Sequence, residues 1–221
     1  MQAYSRIACC AMVGLLLAGI ASGSVVLSSD TNALPAWHGS VLYTNVDSVY
    51  YPQLAVSVDY AVYAPGQFNA SFPGQDPTAG ADYIYAYQVF NNLNPHPGWP
   101  VWQGTEDYVT KFSVGMTELD EQPGNAGFVA GTGQAPSSSN LPLGSAGWTY
   151  RSSSNKLPYG ATSAVLYYAS PFGPEWDDGT VQGYNSVTLP LSMPSPTPEP
   201  ASLSLLALGV VISRIVRPKK Q

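Results

Sequence analysis

The chain predicts an all-β fold, an antiparallel β-sandwich of about eight strands, and three observations carry that prediction. Apolar and β-branched residues recur with a period of two in short runs, the spacing that puts alternate side chains on opposite faces of a strand. The 21 Gly and 20 Pro among 221 residues leave little room for helices, because Gly supplies turn conformations while Pro fixes φ and removes a donor. Aromatic residues reach 12%, led by 15 Tyr, against 10% charged, a composition that suits half-buried pleated surfaces and one sizeable core.

The elements follow in chain order. Residues 1–23 read as a signal peptide, with Arg6 as the positive region, an apolar stretch over 7–20, and the small residues Ala21, Ser22 and Gly23 where a signal peptidase cuts. Cleavage after Gly23 and cleavage after Ala21 both fit. Cys9 and Cys10, the only two cysteines, fall inside this segment, so the exported body holds no disulfide and no thiolate.

Residues 24–190 form the expected β-sandwich domain. Within it Val56, Val58, Tyr60 and Val62 alternate with Ser57, Asp59 and Ala61, as a half-buried strand does. Residues 83–90 are apolar or aromatic on both faces, as a central strand is. Phe112, Val114 and Met116 alternate with Lys111 and Ser113, and residues 164–168 and 181–189 complete the clearest set. Weaker strands are expected over 40–46, 127–130 and 148–151. Two long segments rich in turn residues, 65–81 and 131–147, are expected to cap the ends of the sandwich or bind something there.

Residues 191–200 are a Pro-rich linker, too rich in proline to be helical. Residues 201–221 combine an apolar run with Arg214, Arg217, Lys219 and Lys220, the pattern of a transmembrane-like helix whose basic end resists translocation. Counted to Ile212 the run is shorter than the ~20 residues a span needs. It becomes long enough if Ile215 and Val216 join it and Arg214 snorkels.

The order Pro198-Glu199-Pro200, apolar helix, basic end resembles the PEP-CTERM sorting signal of Gram-negative and related bacteria. The resemblance covers about the last tenth of the chain. It implies sorting through Pro198, Glu199 and Pro200 with Arg214 and Arg217 in the basic end, processing by an exosortase, and export in a cell that makes exopolysaccharide. The stretches 60–66, 85–89 and 170–176 are similar, more loosely, to the bodies of other PEP-CTERM proteins, which implies a β-rich exported domain. Together with the signal peptide, this places the protein at the cell surface or outside the cell, anchored transiently in the inner membrane by its C-terminal helix.

Charge narrows the partners. Five of the eight basic residues sit at the termini, leaving Lys111, Arg151 and Lys156, whereas all fourteen acidic residues lie between Asp30 and Glu199. The body thus carries about −11 (three basic against fourteen acidic), which argues against a nucleic acid partner.

No catalytic set emerges from the residues, and the chain reads as a non-enzyme. Its two histidines are His38 and His96, and no Gly-x-Ser-x-Gly elbow accompanies them. Their spacing names no metal site. Carboxylates cluster at Glu106-Asp107, Glu118-Asp120-Glu121 and Glu175-Asp177-Asp178, where turn or solvated surface is the leading reading. Calcium is the cation such oxygens would suit, but no Asp-x-[Asp/Asn]-x-[Asp/Asn]-Gly loop is present; a glycosidase pair is the remaining alternative. The tryptophans carry the best case for binding. Trp99, Trp102, Trp148 and Trp176 lie in or beside turn-rich segments, and Trp99, Trp102 and Trp176 are the candidate platform for a sugar such as exopolysaccharide, with core packing as the competing role.

Overall fold

The computed structural model describes residues 25–44, 54–91, 108–115, 126–141, 144–151, 156–183 and 188–196. These residues are mostly strand, arranged in two antiparallel sheets with almost no helix. The strands are β1 (His38–Thr44), β2 (Ala55–Tyr63), β3 (Tyr83–Asn91), β4 (Val109–Gly115), β5 (Ala126–Val129), β6 (Ser138–Asn140), β7 (Ser145–Thr149), β8 (Ala161–Thr162), β9 (Val165–Ser170), β10 (Pro174–Gly183) and β11 (Thr188–Pro196). One sheet runs β1-β2-β3-β9-β5 with β8 also paired to β3, and the other runs β11-β10-β4-β7-β6.

The strand count among the described residues exceeds the eight expected, for physical reasons. β6 and β8 hold three and two residues, too few to leave a periodic pattern. The stretch 181–189, read as one strand, spans the end of β10 and the start of β11, which pair antiparallel as Val181↔Leu189. β11 also continues through Leu191 and Met193 to Pro196, so part of the expected linker 191–200 is sheet. Its prolines are tolerated because β11 is an edge strand, where a missing N–H can face away from the ladder. The Tyr87 hydroxyl donates to the Pro194 carbonyl at 2.5 Å, and Ser195 Oγ donates to the Gly115 carbonyl, so the strand is tied into the body up to its last turn.

Between the sheets lies an apolar core. Val56, Val58, Tyr85, Tyr87, Val89 and Tyr168 from one sheet meet Phe112, Val114, Trp148, Val181 and Met193 from the other. Tyr87 stands at the crossing, with ring centroids 5.4 Å from Phe112 and 6.1 Å from Trp148. At roughly 25 cal/mol per Å² of apolar surface removed from water, each of these aromatic side chains contributes about 2–3 kcal/mol. Burial pushes the hydroxyls of Tyr87, Tyr150 and Tyr168 well above their ordinary pKa, because a phenolate has no solvation there.

The six-stranded sheet is covered on its other face as well. Segment 65–81, expected at an end of the sandwich, forms helix α1 (Phe68–Ser71) and folds over that face. Phe68 and Phe72 pack with Leu27, Ala61, Tyr63, Ile84 and Ala86 into a second, smaller core. This cover explains a departure in β2: Asp59 and Ala61, read as solvent-facing, are 7% and 0% exposed. The Tyr63 hydroxyl donates to Asp30 Oδ2 at 2.6 Å and Ser71 Oγ donates to the same oxygen at 2.5 Å. That network clips the N-terminal segment and α1 together, and burial beside the Asp30 carboxylate holds the Tyr63 hydroxyl neutral.

Segment 131–147 is less a loop than expected, since it contains β6 and the start of β7. Gly133 shows why its composition matters: at φ +157° its position would set a Cβ 2.2 Å from the Ser163 carbonyl oxygen, a contact no side chain allows.

Candidate functional site

The described residue that presents the largest ring to solvent is Trp176, 53% exposed on β10. Sequence reading puts it in a turn-rich stretch and gives the carboxylates of Glu175, Asp177 and Asp178 as turn or solvated surface; they are exposed, but not in a turn. Instead the whole segment is strand, paired along β11 as Trp176↔Pro194, Asp177↔Met193 and Asp178↔Ser192, with Gly179 also opposite Val114 of β4. Ladder hydrogen bonds override the local turn preference of Asp and Gly.

Trp176 does not stand alone. Its ring lies 5.4 Å from Trp37 at a 32° tilt, and 5.7 Å from Tyr60 in an edge-to-face contact. Each partner is positioned for a local reason. Trp37 ends a turn closed by its N–H donating to the Leu34 carbonyl, and its own carbonyl accepts from the Val62 N–H, which fixes it beside β2. Ala36 within that turn has φ 67°, a left-handed conformation that costs a non-glycine residue about 1 kcal/mol. Tyr60 reaches the site across Gly39, its partner on β1; a Cβ at 39 would lie 2.7 Å from the Tyr60 hydroxyl. Burial pushes that hydroxyl above its ordinary pKa, so it serves as a neutral donor and acceptor.

Beside Trp37 opens a cleft of about 390 Å³ whose walls include Leu34, Pro35, Trp37, Tyr83, Pro174 and Glu175. That volume lies at the lower end of the range for small-molecule sites, about 300–1,000 Å³. The Tyr85 hydroxyl donates to the Phe172 carbonyl at 2.8 Å and steadies the turn before β10. Glu175, Asp177 and Asp178 are all exposed, giving this end an acidic rim with rings at its centre. Pro196, the last residue of β11, pairs with Pro174, so β11 finishes at this same end.

The other candidates named from the sequence divide cleanly. Trp148 is fully buried in the main core, its Nε1–H donating to the Gly127 carbonyl at 2.8 Å, and belongs to packing rather than binding. Trp99 and Trp102 lie outside the described residues, as do Pro198, Glu199, Pro200, Arg214 and Arg217, His96, and the carboxylates at 106–107 and 118–121. His38 donates its Nδ1–H to the Ser28 carbonyl at 3.0 Å. Among the described residues no group of three or more His, Asp or Glu side chains gathers as a metal site, and no helix is long and apolar enough to cross a membrane. Trp37, Tyr60 and Tyr83 are site residues that sequence reasoning did not select, since nothing local to them signals that the turn before β1, β2, the start of β3 and β10 converge.

Comparison with protein-family models, curated proteins and solved structures returns no match to this chain.

Proposed function

We propose that this is an exported bacterial surface or extracellular-matrix protein: a β-sandwich freed by signal peptidase, sorted through a PEP-CTERM tail by an exosortase, and non-enzymatic in role. The apolar C-terminal helix holds it in the inner membrane until processing. One observation supports an interaction role above the others: a half-exposed tryptophan packed at a tilt against a second one, beside an open cleft, at the end of the sheet where β11 finishes. Burying such rings against a partner recovers apolar area that folding leaves in water.

The same observation favours a second reading, in which the partner is exopolysaccharide. A sugar ring offers a C–H face to an indole and hydroxyls to neighbouring acceptors, and Trp176 with Glu175 supplies both. Of the platform of Trp99, Trp102 and Trp176 expected from the sequence, Trp176 lies among the described residues, and Trp37 packs against it.

Two experiments test these readings. Intact mass of the protein recovered outside its native cells is expected to begin near Ser24 and end near Pro198–Pro200; a mass retaining residues 201–221 would overturn processing of the tail. Binding to the exopolysaccharide of the same cells is expected to weaken at least tenfold, about 1.4 kcal/mol, in Trp37→Ala/Trp176→Ala. Unchanged binding removes the glycan reading, and robust hydrolytic turnover by the wild-type chain removes the non-enzymatic one.

A further inference from the structure

The charges of the body are sorted along one strand. Glu175, Asp177 and Asp178 lie at the start of β10, all exposed, on either side of the half-exposed Trp176. The only Lys or Arg residues between positions 24 and 200 are Lys111, Arg151 and Lys156, and all three lie toward the other end of β10. Lys111 is opposite Gln182, four residues beyond Asp178 and so about 13 Å along the strand. Arg151 follows Tyr150, whose N–H donates to the Thr110 carbonyl, and Lys156 precedes Leu157, which bridges to Val109 opposite Gly183. Lys156 also donates from Nζ to the Tyr108 hydroxyl at 2.9 Å. The separation along β10 exceeds the screening length of about 8 Å at physiological salt, so the aromatic end keeps a negative field.

The rings at this end ask for the same sign of ligand. Trp176 lies 5.4 Å from Trp37, and the cleft beside Trp37 has Glu175 in its wall. An indole face carries the negative side of its quadrupole and attracts a cation more strongly than any other aromatic side chain does. Field and rings therefore both select a positively charged ligand with an apolar face to lay on the indole. We propose that the glycan taken by this end is cationic, a polymer of amino sugars that carry free amines, with Trp176 and Trp37 under the sugar rings and Glu175, Asp177 and Asp178 around the ammonium groups.

This rests on the exopolysaccharide reading of the aromatic end and narrows it to one chemical class. A uronate-rich chain would meet like charge at the rim, and an N-acetylated chain would lay down its ring but bring nothing to the carboxylates. A basic peptide has the charge, but it also has backbone carbonyls that need donors. Pro35 and Pro174 in the cleft wall have no N–H to give them. An amino sugar brings only donors, ammonium and hydroxyl, to a rim made of acceptors.

The test uses the full chain in detergent at pH 6, where exposed carboxylates are charged and sugar amines are protonated. The probes are a glucosamine hexamer with free amines, its fully N-acetylated counterpart and an octalysine peptide. At low salt the free-amine hexamer is expected to bind about tenfold tighter than the acetylated one, the sum of one exposed cation–π contact and one or two exposed ion pairs. The gap is expected to shrink as salt is raised. Glu175→Gln/Asp177→Asn/Asp178→Asn is expected to close it, leaving both hexamers at the acetylated value, whereas Trp37→Ala/Trp176→Ala is expected to weaken both. Equal binding of the two hexamers by the wild-type chain, or a gap that survives in the triple variant, overturns the inference. Octalysine binding that needs the same rings, without binding of the free-amine hexamer, overturns it in favour of a basic peptide. Binding of the cells' own exopolysaccharide separates the two ways to fail. If that binding still depends on Trp37 and Trp176, the glycan reading stands without its charge preference; if it does not, the glycan reading itself falls.

Discussion

Trp148 and Trp176 lie on strands of the same sheet, and the sheet uses them in opposite ways. Trp148 on β7 is enclosed by Tyr87, Phe112 and Tyr168 and spends its one polar hydrogen on Gly127. Trp176 on β10 rests on Trp37 and Tyr60 but leaves half its surface in water. Aromatic residues thus serve cohesion in the interior and exposure at one end, and position relative to the facing sheet decides which. The difference is testable because the two groups respond to different perturbations.

The interior is expected to fail first and most severely at high pH. Tyr63, Tyr87, Tyr150 and Tyr168 are held neutral by burial, with pKa values raised above the ordinary 10. Above pH 10 the unfolded chain releases these phenolic protons while the folded chain keeps them, so their contribution to stability is constant below about pH 10 and falls above it. One pH unit beyond 10 costs about 1.4 kcal/mol for each such group. Denaturant titrations at pH 9, 10 and 11 are expected to show the loss concentrated in the last step; a flat profile would mean that these hydroxyls reach solvent.

Trp148→Ala comes next, at about 3–5 kcal/mol, because the cavity would open among rings that cannot collapse into it. Phe68→Ala on α1 is expected to cost about 3 kcal/mol and to loosen the cover before the main core. Hydrogen exchange in β2 and β3 would register that as faster exchange without global unfolding. If Phe68→Ala instead unfolds both cores together, the second core is not a separate unit.

Legibility from sequence follows the same division. Residues 83–90 announce β3 because a strand buried on both faces has no polar face to show, the cores of β2 and β4 follow from alternation, and β9 follows from a short apolar run. Residues 174–179 are opaque: Pro, Asp and Gly favour turns, and only pairing to β11, joined at Gly179 by β4, makes them strand. Asp59 alternates like an exposed residue, because its cover comes from distant segments. The site was half legible, since Trp176 could be chosen for its ring and its neighbours. Trp37 and Tyr60 could not, because β1, β2 and β10 meet only through the stacking of two sheets.

The smallest effect on stability is expected at the exposed end, and it is the most informative. Trp176→Ala removes a ring already half in water, so its cost to folding should stay near 1 kcal/mol or below. The same substitution strips the surface that a partner would cover, where truncating one aromatic anchor commonly costs 2 kcal/mol or more of binding. Stability and binding measured on one variant therefore pull apart if the end is an interface. Trp148→Ala offers no such separation, since any loss of binding there would follow loss of the fold. A Trp176→Ala chain as destabilised as Trp148→Ala would place this ring with the core, and the contrast between the two tryptophans would disappear.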